Sequence, residues 1–143
     1  MKREYFYDPA MGVAHCILTH KGMEFGGTAT CHPEDGDFMS ERTGLYIAET
    51  RANIRYLKSK KPELRTAITT LQHAVNCMRD SKNFNPKAKE FQIVYRLLYD
   101  KKSELDSLNS RIKMEKEYLE DYVRNKDIVH NKMRKGKLNQ VNE

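Results

Sequence analysis

Charged and aromatic groups make up Arg3 to Tyr7, which suits a short strand, and Val13 to His20 reads as a second strand. Between them, Asp8-Pro9-Ala10-Met11-Gly12 carries the proline and glycine of a turn. In the second run Cys16 and Leu18 share one face, while Val13, His15 and Ile17 share the other. Lys21-Gly22 supplies the next tight turn and Met23 to Cys31 the third strand, so the pattern predicts an antiparallel β-meander over residues 1–32.

After the acidic, turn-rich stretch Pro33-Glu34-Asp35-Gly36-Asp37 the period changes to that of a helix, with Ser40 as the cap before Glu41. Leu45, Ala48, Ala52 and Leu57 fall near one helical face, and Arg51 and Arg55 lie one turn apart on another. Pro62 interrupts the helical stretch 40–81, being tolerated as the first residue of a new helix or as a kink in a continuing one. Leu64, Ala67, Ile68, Leu71, Val75 and Met78 then recur at spacings of three and four, which predicts a second helix ending near Ser81. Phe84-Asn85-Pro86 reads as a turn, with Asn85 as the cap and Pro86 as the first residue of a helix.

No proline or glycine follows until Gly136, and Phe91, Leu98, Leu105, Ile112 and Leu119 recur every seven residues beside Val94, Leu108 and Tyr122. This is a coiled-coil pattern held for about four heptads. It predicts a long helix over 86–135 and a flexible tail over 136–143. Lys101 and Glu115 stand where the companion row calls for apolar residues, which favours packing on the preceding helices over a free two-stranded coil. A helix of roughly 60 to 70 Å at about 1.5 Å per residue outruns the meander, so part of its seam is expected to meet another copy of the chain. The expected fold class is α+β: one domain, a small N-terminal three-stranded antiparallel β-meander followed by long α-helices that form a helical hairpin and a coiled-coil-like homo-oligomer.

Composition agrees with extended, polar-surfaced helices, since 38% of the 143 residues are hydrophobic and 32% charged. No stretch approaches the roughly 20 apolar residues that span a bilayer, and Met1-Lys2-Arg3-Glu4-Tyr5 lacks the apolar core of a signal peptide, which predicts a cytoplasmic protein without a membrane partner. Cys16, Cys31 and Cys77 are odd in number and lack C-x-x-C spacing, as reduced structural thiols do. The net charge of +6 suits an anionic partner. Much of it lies in Arg124, Lys126, Lys132, Arg134, Lys135 and Lys137, where a frayed, solvated tail is the favoured explanation.

Catalytic and metal constellations fail on geometry. His15, Cys16, His20, Cys31 and His32 have zinc-ligand chemistry. However, a turn at Lys21-Gly22 sets Cys16 opposite Gly27 and Cys31 opposite Gly12, on the order of 15 Å apart along the ladder. His15 points to the opposite face from Cys16, so the two form no nucleophile and base pair. The run Glu34-Asp35-Gly36-Asp37 lacks EF-hand ligand positions, and His73 and His130 stand alone. No cofactor is expected. Phe25-Gly26-Gly27-Thr28 lacks the spacing of a Walker or dinucleotide loop, yet its glycines offer a phosphate close approach to backbone; a bulge is the structural alternative. The remaining chemistry is that of binding. Arginines 51, 55, 79, 96, 111 and 124 are interleaved with aromatic residues 46, 56, 84, 95, 99, 118 and 122, and guanidinium groups pair with phosphates while rings stack on bases. Ordinary polar faces, or a protein interface, would use the same residues.

The segments Phe25-Gly26-Gly27-Thr28-Ala29-Thr30-Cys31-His32-Pro33-Glu34-Asp35-Gly36-Asp37-Phe38 and Gly44-Leu45-Tyr46-Ile47-Ala48-Glu49-Thr50-Arg51-Ala52, behind a strand-rich start, resemble the phage anti-Thoeris sponge proteins. Members of that family are phage-encoded, non-enzymatic binders that sequester cyclic ADP-ribose-type immune signals, and some also hold cyclic oligonucleotides, in oligomers built on a small sheet and long helices. The resemblance implies a binder of a cyclic nucleotide, acting in the cytoplasm of an infected bacterium. It assigns no residue roles. Residue chemistry selects Phe25, Gly27, Thr28, Arg51, Arg55, Phe84, Asn85 and Arg124 as ligand-binding candidates, with arginines and backbone N–H groups on a pyrophosphate and a ring on adenine. The alternatives are an inhibitor that docks on a host defence effector, and an accessory protein that binds nucleic acid through its basic end. Nucleic acid is the less favoured partner.

Overall fold

A computed structural model describes the backbone of residues 1–30 and 41–141 and the side chains of 1–30 and 41–125. Strands β1 (Lys2–Asp8), β2 (Val13–His20) and β3 (Met23–Thr30) form an antiparallel sheet in the order β1-β2-β3. Helices α1 (Glu41–Ser59), α2 (Lys61–Arg79) and α3 (Lys89–Val141) follow. The fold class is therefore α+β, with the meander at the predicted place. The expectations for Cys31, His32, the acidic run 33–37 and the Ser40 cap lie outside the described residues, as do those for the basic side chains beyond 125.

Both hairpin turns form for chemical reasons. Asp8 Oδ1 accepts hydrogen bonds from the backbone N–H groups of Ala10 (3.0 Å) and Met11 (3.3 Å), closing the first turn, and Gly12 takes the positive φ of 63° that ends it. The second has two central residues, Lys21 and Gly22, at φ 50° and 76°. Two positive φ values match the right-handed twist of the flanking strands. That turn fixes the register and sets Cys16 opposite Gly27, as expected.

The chain divides into two compact units, residues 1–56 with 113–143, and residues 57–112. In the first, the sheet turns Ala14, Cys16, Leu18 and Ala29 inward against Ile47, Ala48 and Ala52 of α1. Leu119, Tyr122 and Val123 of α3 pack against the same cluster. Helix and sheet meet through small residues: a Cβ built on Gly27 would lie 1.9 Å from the Ala48 carbonyl oxygen, and one on Gly44 would lie 3.1 Å from Ala14 Cβ. Helix α1 is apolar on its Ala48 and Ala52 side and leaves Arg51 and Arg55 exposed, as its pattern predicts. Its buried threonines are satisfied, Thr50 donating to the Tyr46 carbonyl at 2.9 Å and Thr43 meeting the Tyr122 hydroxyl at 3.5 Å.

In the second unit α2 and α3 form an antiparallel hairpin. Lys102 Nζ donates to Gln72 Oε1 at 3.3 Å, and nearer the connecting turn the Arg79 guanidinium lies 5.8 Å from the ring centres of both Phe91 and Tyr95. Val75, Leu98, Leu108 and Ile112 are buried there. Pro62 falls in the first turn of α2, where the Leu64 N–H bonds to the Lys60 carbonyl at 3.3 Å. Asn85 caps a turn, its Oδ1 accepting from the Lys87 N–H at 3.0 Å, but α3 itself starts at Lys89 and not at Pro86. A further bond, Ala88 N–H to the Asn85 carbonyl, closes that turn separately before the helix begins. At the other end the helical backbone runs through Gly136 to Val141, past the predicted boundary at 135.

Candidate functional site

Arg51 is the best anchored of the predicted ligand residues. Among the described strands β3 pairs with β2 alone, and the Thr28 carbonyl accepts a 2.7 Å hydrogen bond from Arg51 Nη1. On the outer face of the sheet Thr28 Oγ1 is held 2.9 Å from His15 Nδ1, its cross-strand partner. Arg51 is thus fixed by a bond to backbone while standing exposed on α1. It lines an open depression of about 460 Å³ with Leu119, Glu120, Val123 and Arg124 of α3. Arg124 is held only loosely, 3.9 Å from Asp121 with 71% of its side chain exposed, so its guanidinium is available to a ligand.

Two other pockets occur in the same unit. One of about 290 Å³ is lined by Arg3, Leu18, Tyr46, Glu49, Thr50, Asn53 and Glu115. The second, of about 470 Å³ and as open as the Arg51 site, is lined by Tyr5, Glu41, Arg42, Leu45, Tyr46 and Glu49. Charge separates the three. Two arginines face one glutamate at the Arg51 pocket, whereas two glutamates face one arginine at each of the others. Glu49 is also bridged to Arg3 at 3.5 Å. Partial burial and the nearby Glu49 carboxylate hold the Tyr5 phenol above its ordinary pKa, so it remains a neutral donor. Of these three pockets, the one at Arg51 favours an anion.

The remaining predicted residues sit elsewhere. Gly27 is buried beneath α1, which closes it to a ligand; its bare backbone serves helix packing. Phe25 packs on the core with its ring edge-on to Tyr56 at 5.5 Å, and Tyr56 also meets His20 at 5.3 Å. Arg55 is exposed one turn beyond Arg51 and does not line the pocket. Phe84 and Asn85 belong to the unit of residues 57–112, where Phe84 stands edge-on to Phe91 at 4.9 Å and Asn85 caps its turn. The structure therefore brings Arg51 and Arg124 to one site, with the Thr28 carbonyl bonded to Arg51 and Thr28 itself outside the lining. Sequence reasoning missed Glu120 and the Arg3, Glu49 and Glu115 group. The misplaced Glu115 in the heptad row was the one signal for the latter.

Among the described residues no group of three or more His, Cys, Asp and Glu side chains is placed to hold a metal ion, and no helix is long and apolar enough to cross a membrane. Cys16 is fully buried and Cys77 exposed, both as free thiols. Neither protein families, nor curated proteins, nor solved structures give a significant match to this chain.

Proposed function

We propose that this protein is a non-enzymatic binder that holds a phosphate-bearing cyclic nucleotide, of the cyclic ADP-ribose kind, in the pocket flanked by Arg51 and Arg124 and so sequesters it. The observation that carries this reading is the convergence of two arginines from different helices on one pocket of about 460 Å³, within the roughly 300 to 1,000 Å³ range of small-molecule sites. Guanidinium groups present planar forks that match phosphate oxygens, and the Thr28 carbonyl fixes one of them in advance. Glu120 supplies an acceptor for ribose hydroxyl groups. Leu119 and Val123 give the apolar wall against which a base can lie. The resemblance to phage sponge proteins supplies the setting: a phage-encoded, homo-oligomeric protein that withholds an immune signal in the host cytoplasm.

The test is calorimetry with cyclic ADP-ribose isomers, followed by denaturation and identification of what is released. Tight binding with intact ligand recovered is the expected result. Arg51→Ala and Arg124→Ala should each weaken binding roughly tenfold or more, the worth of a charge-assisted hydrogen bond. Arg55→Ala, outside the lining, should change it little. Recovery of a cleaved product would make the protein an enzyme. Absence of binding to any isomer would reject this ligand class.

A further inference from the structure

Helix α2 carries a pair of soft donors that the nucleotide reading does not use. His73 and Cys77 are one turn apart on α2, both exposed, with Cys77 Sγ 3.6 Å from His73 Nε2. The spacing is that of a chelate. A zinc ion bonded at about 2.3 Å to sulfur and about 2.0 to 2.1 Å to nitrogen, with a tetrahedral angle between them, needs its two donors about 3.6 Å apart. Residues four apart on a helix project together, so the backbone supplies this separation without rearrangement.

We propose that His73 and Cys77 form a two-point chelate for a soft divalent transition-metal ion such as zinc, with water completing the coordination. On binding, the Cys77 thiol gives its proton to solvent and Sγ forms the metal bond, while neutral His73 binds through Nε2 and keeps its proton on Nδ1. One proton is released per ion. Thiolate with imidazole selects zinc or cobalt over magnesium or calcium, which take oxygen donors. The bound ion joins one turn of α2 to the next and stabilises the helix against fraying.

Cobalt(II) is the probe, because a sulfur-to-cobalt charge-transfer band reports the thiolate bond directly. The full-length protein, reduced, should develop this band and saturate at one equivalent per chain, and zinc should then bleach it. Cys77→Ser should abolish the band, His73→Ala should weaken cobalt binding at least tenfold, and Cys31→Ser should leave it unchanged. Both α2 positions are exposed, and circular dichroism checks that the variants remain folded. Zinc should also raise the melting temperature of the wild type but not of Cys77→Ser. Absence of a band at one equivalent overturns the proposal. So does a band that survives Cys77→Ser, which would place the metal elsewhere. A Cys77 that reacts with iodoacetamide at the same rate with and without excess zinc would also overturn it.

Discussion

Gly27 is the residue whose chemistry the fold leaves least room to change. The Ala48 carbonyl oxygen and the Ala52 amide nitrogen would lie 1.9 and 2.5 Å from an added Cβ, and both belong to helix backbone that has no rotamer to yield. Gly27→Ala should therefore push α1 off the sheet and lower stability by about 3 kcal/mol, at the upper end of overpacking costs. Gly26, where an added Cβ would meet nothing within 4 Å, is the matched control, and Gly26→Ala should shift the urea midpoint little. Equal midpoints for the two variants would refute this packing. Cys16, next to Gly27 in the ladder, gives a pH signature. Burial first, and then the Glu49 carboxylate, push its thiol above the ordinary value near 9.0, and Tyr5 is likewise raised from 10.0. Above those values the unfolded chain releases protons that the folded chain retains. Stability is thus fully present below about pH 9 and falls as pH climbs through the raised folded values. Urea midpoints measured from about pH 8 to 11 should show this decline, and Cys16→Ala should remove its earlier part.

At the scale of elements, α3 shows how far periodicity reaches. From 89 to 125 the positions not exposed are Phe91, Val94, Leu98, Lys101, Leu105, Leu108, Ile112, Glu115, Leu119, Tyr122 and Val123. All but Val123 belong to the two rows of the heptad pattern. Lys101 and Glu115 are thus seam positions that carry the wrong chemistry. Lys101 lies half-exposed and pairs with Glu104 at 3.1 Å within the same helix, a contact worth no more than about 1 kcal/mol. Lys101→Leu should fill one of the two gaps in the row and raise stability by about 1 kcal/mol, visible as a higher urea midpoint. An unchanged or lower midpoint would mean that the lysine stem already fills the space. The pairing of β2 with β3 was legible because the Lys21-Gly22 turn fixes its register unaided. The start of α3 was not. Asn85 and Pro86 carry a helix-start signature, but the Asn85 bonds to Lys87 and Ala88 close a separate turn first.

For the whole molecule, the question is where the charge of +6 acts. Sequence chemistry chose eight ligand residues, and those that the fold assembles, Arg51 and Arg124, come from two helices far apart along the chain, with the Thr28 carbonyl of a strand bonded to the first. No local pattern encodes such a convergence, because it depends on α3 packing against the α1 and sheet cluster. Gly27 shows the opposite failure: bare backbone in a strand suits a phosphate and a packed helix equally, and only the fold decides between them. Two sources of positive charge therefore compete as explanations for any anion binding: the Arg51 pocket, and the basic residues between 126 and 137. They differ in salt response. A site with two guanidinium groups against a small ligand loses little affinity with salt, whereas a basic segment on a nucleic acid releases a counterion for every phosphate neutralised. A chain ending at Arg134 should keep nucleotide affinity within about twofold while losing part of any weak, salt-sensitive nucleic-acid binding. Arg51→Ala should do the reverse. Titrations at about 50 and 200 mM salt, with a cyclic nucleotide and with a single-stranded oligonucleotide, separate the two. If truncation and not Arg51→Ala removes nucleotide binding, the pocket is not the site, and the basic end of α3 carries the function.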